Sequence, residues 1–74
     1  MTRLPSLSGD QIITVLGKAG FQVLRQKGSH IYLKHPDGRA TVVPVHKGES
    51  VGKGLLRKII KDADLGREEF IKLL

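Results

Sequence analysis

Turn-forming residues divide the middle of the chain into three segments of strand length. Gly20 ends the first apolar segment, and Lys27-Gly28-Ser29 and His35-Pro36-Asp37-Gly38 follow at short intervals. The last of these has proline at its second position and glycine at its fourth, as in a type I turn. Connections this short join antiparallel strands. The spacing therefore predicts a three-stranded antiparallel meander over Phe21–Gln26, His30–Lys34 and Arg39–Val45.

Helix signals flank the meander on both sides. Ser8 and Gln11 have the spacing of a capping box, and apolar residues then recur at helical spacing until Gly20. A second helix is predicted from near Gly52–Gly54 to about Ala63, and a short third one over Arg67–Leu74. The buried stripe of the second helix is expected to contain Leu55, Leu56, Ile59, Ile60 and Ala63.

The predicted order is α-β-β-β-α with a short terminal helix, in one domain over residues 1–74. Two helices on one face of a three-stranded antiparallel sheet make a two-layer α+β fold. Pro44 near the end of the third strand indicates an edge position. Gly17 lies inside the first helix, and we interpret it as a point of close approach to the sheet.

Charge is the strongest compositional signal. The 74 residues carry 13 Lys/Arg and 7 Asp/Glu, a net charge of +6. Residues 1–61 hold eleven basic and three acidic side chains (+8), and residues 62–74 hold two and four (−2). The basic body predicts a polyanionic partner, either nucleic acid or an acidic protein, although a generic basic protein has similar composition. There is no membrane-length apolar run and no cysteine, which favours a cytoplasmic location.

His30 is the candidate reactive residue. Alternation along the second strand directs Ile31 and Leu33 to the core and His30, Tyr32 and Lys34 outward. An exposed imidazole among cations suits RNA cleavage, because the RNA's own 2′-OH attacks the phosphorus. Histidine moves the protons, and Lys or Arg stabilises the charge that develops on the phosphoryl oxygens. From the residues alone, a simple hydrogen bond or phosphate contact is the commoner role for an exposed histidine beside a turn, and catalysis is the rarer one.

Metal and cofactor chemistry is not expected. His30 and His35 are five positions apart on one strand and so point to opposite faces, and no cysteine or carboxylate cluster adds ligands. The chain has no Gly-x-x-x-x-Gly-Lys or Gly-x-Gly-x-x-Gly loop for a nucleotide. His46 is interpreted as a residue that supports the loop before the second helix.

Several short motifs, in order, resemble one family. They are Gly-Phe at 20–21, Gly-Ser-His at 28–30, His-Pro-Asp-Gly at 35–38, Pro-x-His at 44–46, Gly-x-Leu-Arg-x-Ile from Gly54, and Glu-Glu-Phe at 68–70. This set resembles the HicA toxins of HicA–HicB toxin–antitoxin pairs. Leu55 departs from the family, which often has Thr or Ser after that glycine.

The resemblance implies a double-stranded-RNA-binding-like fold and a type II toxin that is an mRNA endoribonuclease. Its essential residue is the histidine of the Gly-Ser-His turn, here His30, acting as general acid/base without a metal. The partner it implies is a HicB-type antitoxin that covers the His30 face. A non-catalytic RNA-binding module of the same fold is the alternative. The residues expected to contact RNA are Lys27, Gly28, Ser29, Tyr32, Lys34, Arg39, Lys47, Lys53, Arg57 and Lys58.

Overall fold

A computed structural model describes residues 4–74 of the chain. The elements are β1 (Leu7–Ser8), α1 (Gly9–Lys18), β2 (Gln22–Lys27), β3 (His30–Lys34), β4 (Ala40–Pro44), β5 (Ser50–Val51), α2 (Lys53–Asp62) and α3 (Arg67–Lys72). Strands β2, β3 and β4 form an antiparallel sheet in that order, and β1 pairs with β5 in a separate antiparallel ribbon. The predicted α+β fold with a three-stranded antiparallel sheet is confirmed.

The central strand β3 has the alternation that the sequence indicated. Ile31 and Leu33 are buried, whereas His30 and Lys34 are exposed and Tyr32 is half-buried. One face of the sheet therefore meets the helices and the other is open. The core on the covered face is formed mainly by Ile12, Val15, Leu16, Phe21, Ile31, Leu33, Val43, Leu56, Ile59 and Phe70.

The turn between β2 and β3 fixes the position of His30. Lys27 and His30 are cross-strand partners, so only Gly28 and Ser29 connect the strands. Gly28 has φ +60°, a conformation that glycine adopts without a steric penalty. The Val45 N–H donates to the Ser29 carbonyl at 2.7 Å, which ties the end of β4 to this turn.

The start and end of α1 follow the sequence signals. The Gln11 N–H donates to Ser8 Oγ at 3.2 Å and the Ser8 N–H donates to Gln11 Oε1 at 2.9 Å, which is the predicted capping box. Gly20 has φ +102°, the left-handed geometry of a residue that ends a helix. A Cβ at Gly20 would lie 2.7 Å from His35 Nε2, so both space and geometry require glycine.

The β1–β5 ribbon was not predicted, because two-residue strands leave no periodic signal. Leu7 pairs with Val51, and Ser8, the N-cap of α1, pairs with Ser50. The segment 46–51, expected to be a loop, is therefore attached to the start of α1. This attachment fixes the chain just before α2 and places that helix end next to His30.

Two expectations about the helices were wrong. Leu55 is 39% exposed and does not belong to the buried stripe of α2. Successive helical residues are about 100° apart, so Leu55 falls on the flank of a stripe centred on Leu56, Ile59 and Ile60. Gly17 is exposed with nothing near a built Cβ, whereas a Cβ at Gly9 would collide with the Pro44 carbonyl oxygen. Gly9 is the glycine at which the first helix approaches the sheet.

Alanine at the two glycines is expected to have opposite effects on stability. Gly9→Ala should destabilise the fold by about 1–3 kcal/mol, because the colliding atoms belong to the backbone of β4 and to Val45. Gly17→Ala should stabilise it by up to about 1 kcal/mol, since it reduces the entropy of the unfolded chain. Urea unfolding of both variants measures the difference. Equal shifts in the same direction would contradict this packing of α1.

Candidate active site

His30 borders a surface hollow of about 320 Å³ at one end of the sheet. The hollow lies where β3 begins and β4 ends, and the segment leading into α2 closes its other side. His30 is exposed and is flanked in the sheet by Lys27 and Pro44. The lining residues are His30, Pro44, His46, Glu49, Ser50, Val51, Gly52 and Leu55.

A tight turn over residues 46–49 presents polar groups at the rim of this hollow. The Glu49 N–H donates to the His46 carbonyl at 3.0 Å, and Gly48 has φ +79°. Positive φ at the third residue is typical of a type II turn. His46, Lys47 and Glu49 are all exposed. His46, interpreted from the sequence as loop support, therefore shares a hollow with His30.

The N-terminal end of α2 forms another wall of the hollow. Gly52 is the N-cap residue, and neither a side-chain cap nor an acidic residue occurs in the first turn. Such an end has partial positive charge and unpaired N–H groups, which favour an anion nearby. Leu55, at the same end, adds an exposed apolar side chain.

The open face of the sheet continues from His30 along β3. The Arg25 guanidinium lies 4.7 Å from the centre of the Tyr32 ring, a cation–π contact. Val42 is the cross-strand partner of Tyr32 and is 36% exposed, and Leu24 is 63% exposed. Sequence reasoning missed Arg25, because a register shift between Val23 and Arg25 decides which side chain pairs with Tyr32.

The other predicted contacts fall in different places. Lys34 is exposed at the far end of β3, whereas Lys58 pairs with Asp62 at 3.0 Å. Lys53 and Arg57 lie on the opposite flank of α2 from Leu55 and border an adjoining pair of hollows. Those hollows are lined by Leu4, Lys53, Arg57, Ile60, Lys61, Asp64, Leu65 and Arg67. Lys53, Arg57 and Lys61 therefore share one flank of α2, whereas Lys58 pairs with Asp62 away from these hollows.

Arg39 is engaged within the protein. Its Nε contacts both Asp37 carboxylate oxygens at 2.9 and 3.1 Å, and its Nη1 donates to the Ala63 carbonyl at 2.6 Å. The guanidinium also lies 5.3 Å from the centre of the Phe21 ring. Arg39 thus links the turn at 35–38 to the C-terminal end of α2, and this use competes with the RNA contact expected from the sequence.

His35 completes this network at the end of the sheet remote from His30. Its ring packs edge-on against Phe21 with centroids 5.3 Å apart. Its Nδ1 lies 3.1 Å from the Asp37 backbone N and 3.0 Å from Asp37 Oδ1, so both groups of Asp37 hold the ring against the turn. The motif at 35–38 therefore has a structural role: it packs on Phe21 and is linked through Arg39 to the end of α2.

Hydrogen bonding from the Arg39 backbone N–H, assisted by the Arg39 side chain, holds the pKa of Asp37 below its ordinary value of 3.8. A carboxyl whose pKa is lowered by folding stabilises the fold while ionised, and this contribution is lost as pH falls through the lowered pKa. Asp37→Asn should therefore reduce Tm at neutral pH. The difference from wild type should shrink below pH 3.8. Thermal melts at several pH values test this, and a pH-independent difference would contradict it.

None of the helices within residues 4–74 has the length and apolar character of a membrane-spanning segment. The same residues contain no group of three or more His, Cys, Asp and Glu side chains placed to hold a metal ion.

The fold and the site define a small, basic α+β protein with an exposed histidine in a hollow flanked by cations. Residues 9–65 match the family model for the HicA toxin of bacterial toxin–antitoxin systems. The chain belongs to the HicA toxin family, and such a toxin implies an antitoxin partner. No curated protein matches the sequence.

Proposed function

We propose that this toxin is a metal-independent endoribonuclease that cleaves mRNA, with His30 as general acid/base, in a type II toxin–antitoxin system. The observation that carries the proposal is the exposed position of His30 at a solvent-open hollow between Lys27 and the N-terminal end of α2. An imidazole in such a place is accessible to a phosphodiester, with the Lys27 cation beside it in the sheet and the N-terminal end of α2 at the same hollow.

The proposed reaction is transfer of the phosphoryl group to the neighbouring 2′-OH. The 2′ oxygen loses its proton and bonds to phosphorus, the bond from phosphorus to the 5′ oxygen breaks, and the 5′ oxygen gains a proton. The products are a 2′,3′-cyclic phosphate and a 5′-OH end. His30 transfers one of these protons, and Lys27 and Lys47 neutralise charge on the phosphoryl oxygens.

The RNA is proposed to cross the open face of the sheet. Tyr32, with Arg25 beside it, offers a surface on which a base stacks. The turn at Gly28 and Ser29 lets the backbone approach closely, and Lys34 extends the positive track. Phosphate contacts by Lys53, Arg57 and Lys58 would require the RNA to reach both flanks of α2.

The salt dependence of RNA binding distinguishes the cations near His30 from those on α2. Each phosphate contact removed should reduce the slope of log K against log salt by about one. Lys27→Ala, beside His30, should show this reduction. Arg57→Ala shows it only if the RNA reaches the hollows between α2 and α3. Filter binding of a short RNA across a salt series gives both slopes, and an unchanged slope for Lys27→Ala would contradict the proposed path.

The proposed protein partner is a HicB-type antitoxin that covers the His30 face. Leu24, Val42 and Leu55 are exposed apolar side chains on or beside that face, in a chain of net charge +6. A partner with acidic and apolar groups would bury these side chains and block His30. If co-expression with the small acidic protein of a neighbouring gene neither restores growth nor yields a co-purifying complex, this pairing is wrong.

Induced expression followed by mapping of RNA ends tests the function itself. The proposal predicts growth arrest with internal cuts in mRNA, in the cytoplasm where translation occurs. Cuts should persist when translation is blocked, since the protein needs only the RNA. Tight RNA binding without cuts, in cells and with purified protein, would favour the non-catalytic RNA-binding module instead.

A further inference from the structure

We propose that His46 is the second proton-transfer group of the site, so that His30 and His46 act as a pair on one phosphodiester. This inference rests on the proposed endoribonuclease function. It follows from the shared hollow, which His30, His46 and Glu49 all line.

The chemistry requires two proton transfers at different oxygens. One group takes the proton of the 2′-OH while the other protonates the departing 5′ oxygen, and the two oxygens lie on opposite sides of the phosphorus. A single imidazole reaches both positions poorly. Histidine suits both tasks, because imidazole and imidazolium coexist near neutral pH.

The sheet places the two imidazoles on the same side. Pro44 is the cross-strand partner of His30, and the Val45 N–H bond to Ser29 continues the pairing by one residue. His46 therefore follows as the next residue on the His30 face. Diagonal neighbours of this kind are roughly 7–8 Å apart in a regular sheet, a spacing that accommodates a phosphate between two side chains.

Glu49 is the competing candidate for this role. It shares the turn with His46 and lines the same hollow. A carboxylate can accept a proton but has none to give to a leaving oxygen, so in that form Glu49 could act only on the 2′-OH side of the reaction. Glu49 is better suited to accept the second N–H of the His46 ring and hold its orientation, which makes it a positioning residue.

Two histidines are sufficient to balance the proton transfers of the reaction. One histidine enters as imidazole and leaves as imidazolium, while the other enters as imidazolium and leaves as imidazole. The new bond joins the 2′ oxygen to phosphorus, and the bond to the 5′ oxygen breaks. Exchange of one proton each with water restores both groups, so no other reactant is needed.

The test compares His30→Ala, His46→Gln and Glu49→Gln on an RNA oligonucleotide whose cut site has been mapped with wild type. His46→Gln should lower the cleavage rate by at least about a hundredfold with RNA affinity retained. The pH–rate profile of wild type should be bell-shaped, and His46→Gln should lack the fall in rate on one side of that bell. In a second substrate sulfur replaces the bridging 5′ oxygen, and the thiolate leaves without protonation. That substrate should restore cleavage to one of the two histidine variants and not to the other.

The outcomes separate this inference from the proposed function. If wild type and His46→Gln cut equally while His30→Ala does not cut, the pair is wrong and the ribonuclease stands. Loss on Glu49→Gln with normal His46→Gln would assign the second role to the carboxylate and overturn the pair. Failure of wild type to cut overturns the function itself. Thermal melting followed by circular dichroism checks that each variant is folded. If His46→Gln does not fold, His46→Asn is used in its place.

Discussion

His30→Ala should abolish RNA cleavage while leaving most RNA binding intact. General acid–base groups contribute about 10²–10⁴-fold to rate, so a loss in that range is expected. Binding should survive because Lys27, Lys47 and the Tyr32 surface remain. The side chain of His30 is exposed, so removing it should not disturb the fold.

Gln22→Ala is the matched control for this variant. Gln22 is exposed and pairs with Lys34, so it lies on the His30 face at the far end of the sheet. The Gln22→Ala variant should cut RNA at the wild-type rate. If His30→Ala also cuts at that rate, His30 is not the proton-transfer group. If His30→Ala loses cleavage and binding in parallel, the residue contacts RNA without taking part in the reaction.

Phe70→Ala should have the largest effect on stability. Phe70 is the largest fully buried side chain, at 0% exposure, and it belongs to α3. Removing a buried phenylalanine costs about 3–5 kcal/mol. A domain of this size has about 5–15 kcal/mol of stability in total, and small domains lie at the lower end. We therefore expect Phe70→Ala to lose most of its stability and to be partly unfolded at growth temperature.

The control for Phe70→Ala is Leu74→Ala, which removes a side chain that is 47% exposed at the end of the chain described. It should change stability by no more than about 0.5 kcal/mol. The family match ends at residue 65, so these variants ask whether α3 belongs to the folded unit. A cooperative, wild-type-like melt for Phe70→Ala would contradict the packing of α3 and the expectation of one domain over residues 1–74.

The parts of the fold that were predictable have local causes. The capping box at Ser8, the left-handed Gly20 and the two-residue turn at Gly28 are each specified within a few residues, and the structure contains all three. Strand alternation then decided that His30 faces outward. Because these signals are short-range, the element order and the exposure of the candidate histidine followed without knowledge of packing.

The parts that were missed depend on contacts distant in sequence. The β1–β5 ribbon, the Arg39 bond to Ala63 and the hollow that both His30 and His46 line each bring together separate segments. No local pattern predicts such long-range arrangements. Leu55 did carry a signal, since it departs from the family at that position. Leu55 is exposed at the hollow, so core packing does not restrict this position as it restricts the buried Leu56 and Ile59.

The most direct test of the central claim is the chemistry of the RNA ends. Purified wild type would be incubated with a defined single-stranded RNA, with EDTA present throughout, and the products assayed for a 2′,3′-cyclic phosphate and a 5′-OH. The account predicts cyclic ends from wild type and no cleavage by His30→Ala. Cleavage that EDTA stops, or that leaves 5′-phosphate ends, would contradict a metal-free reaction centred on His30.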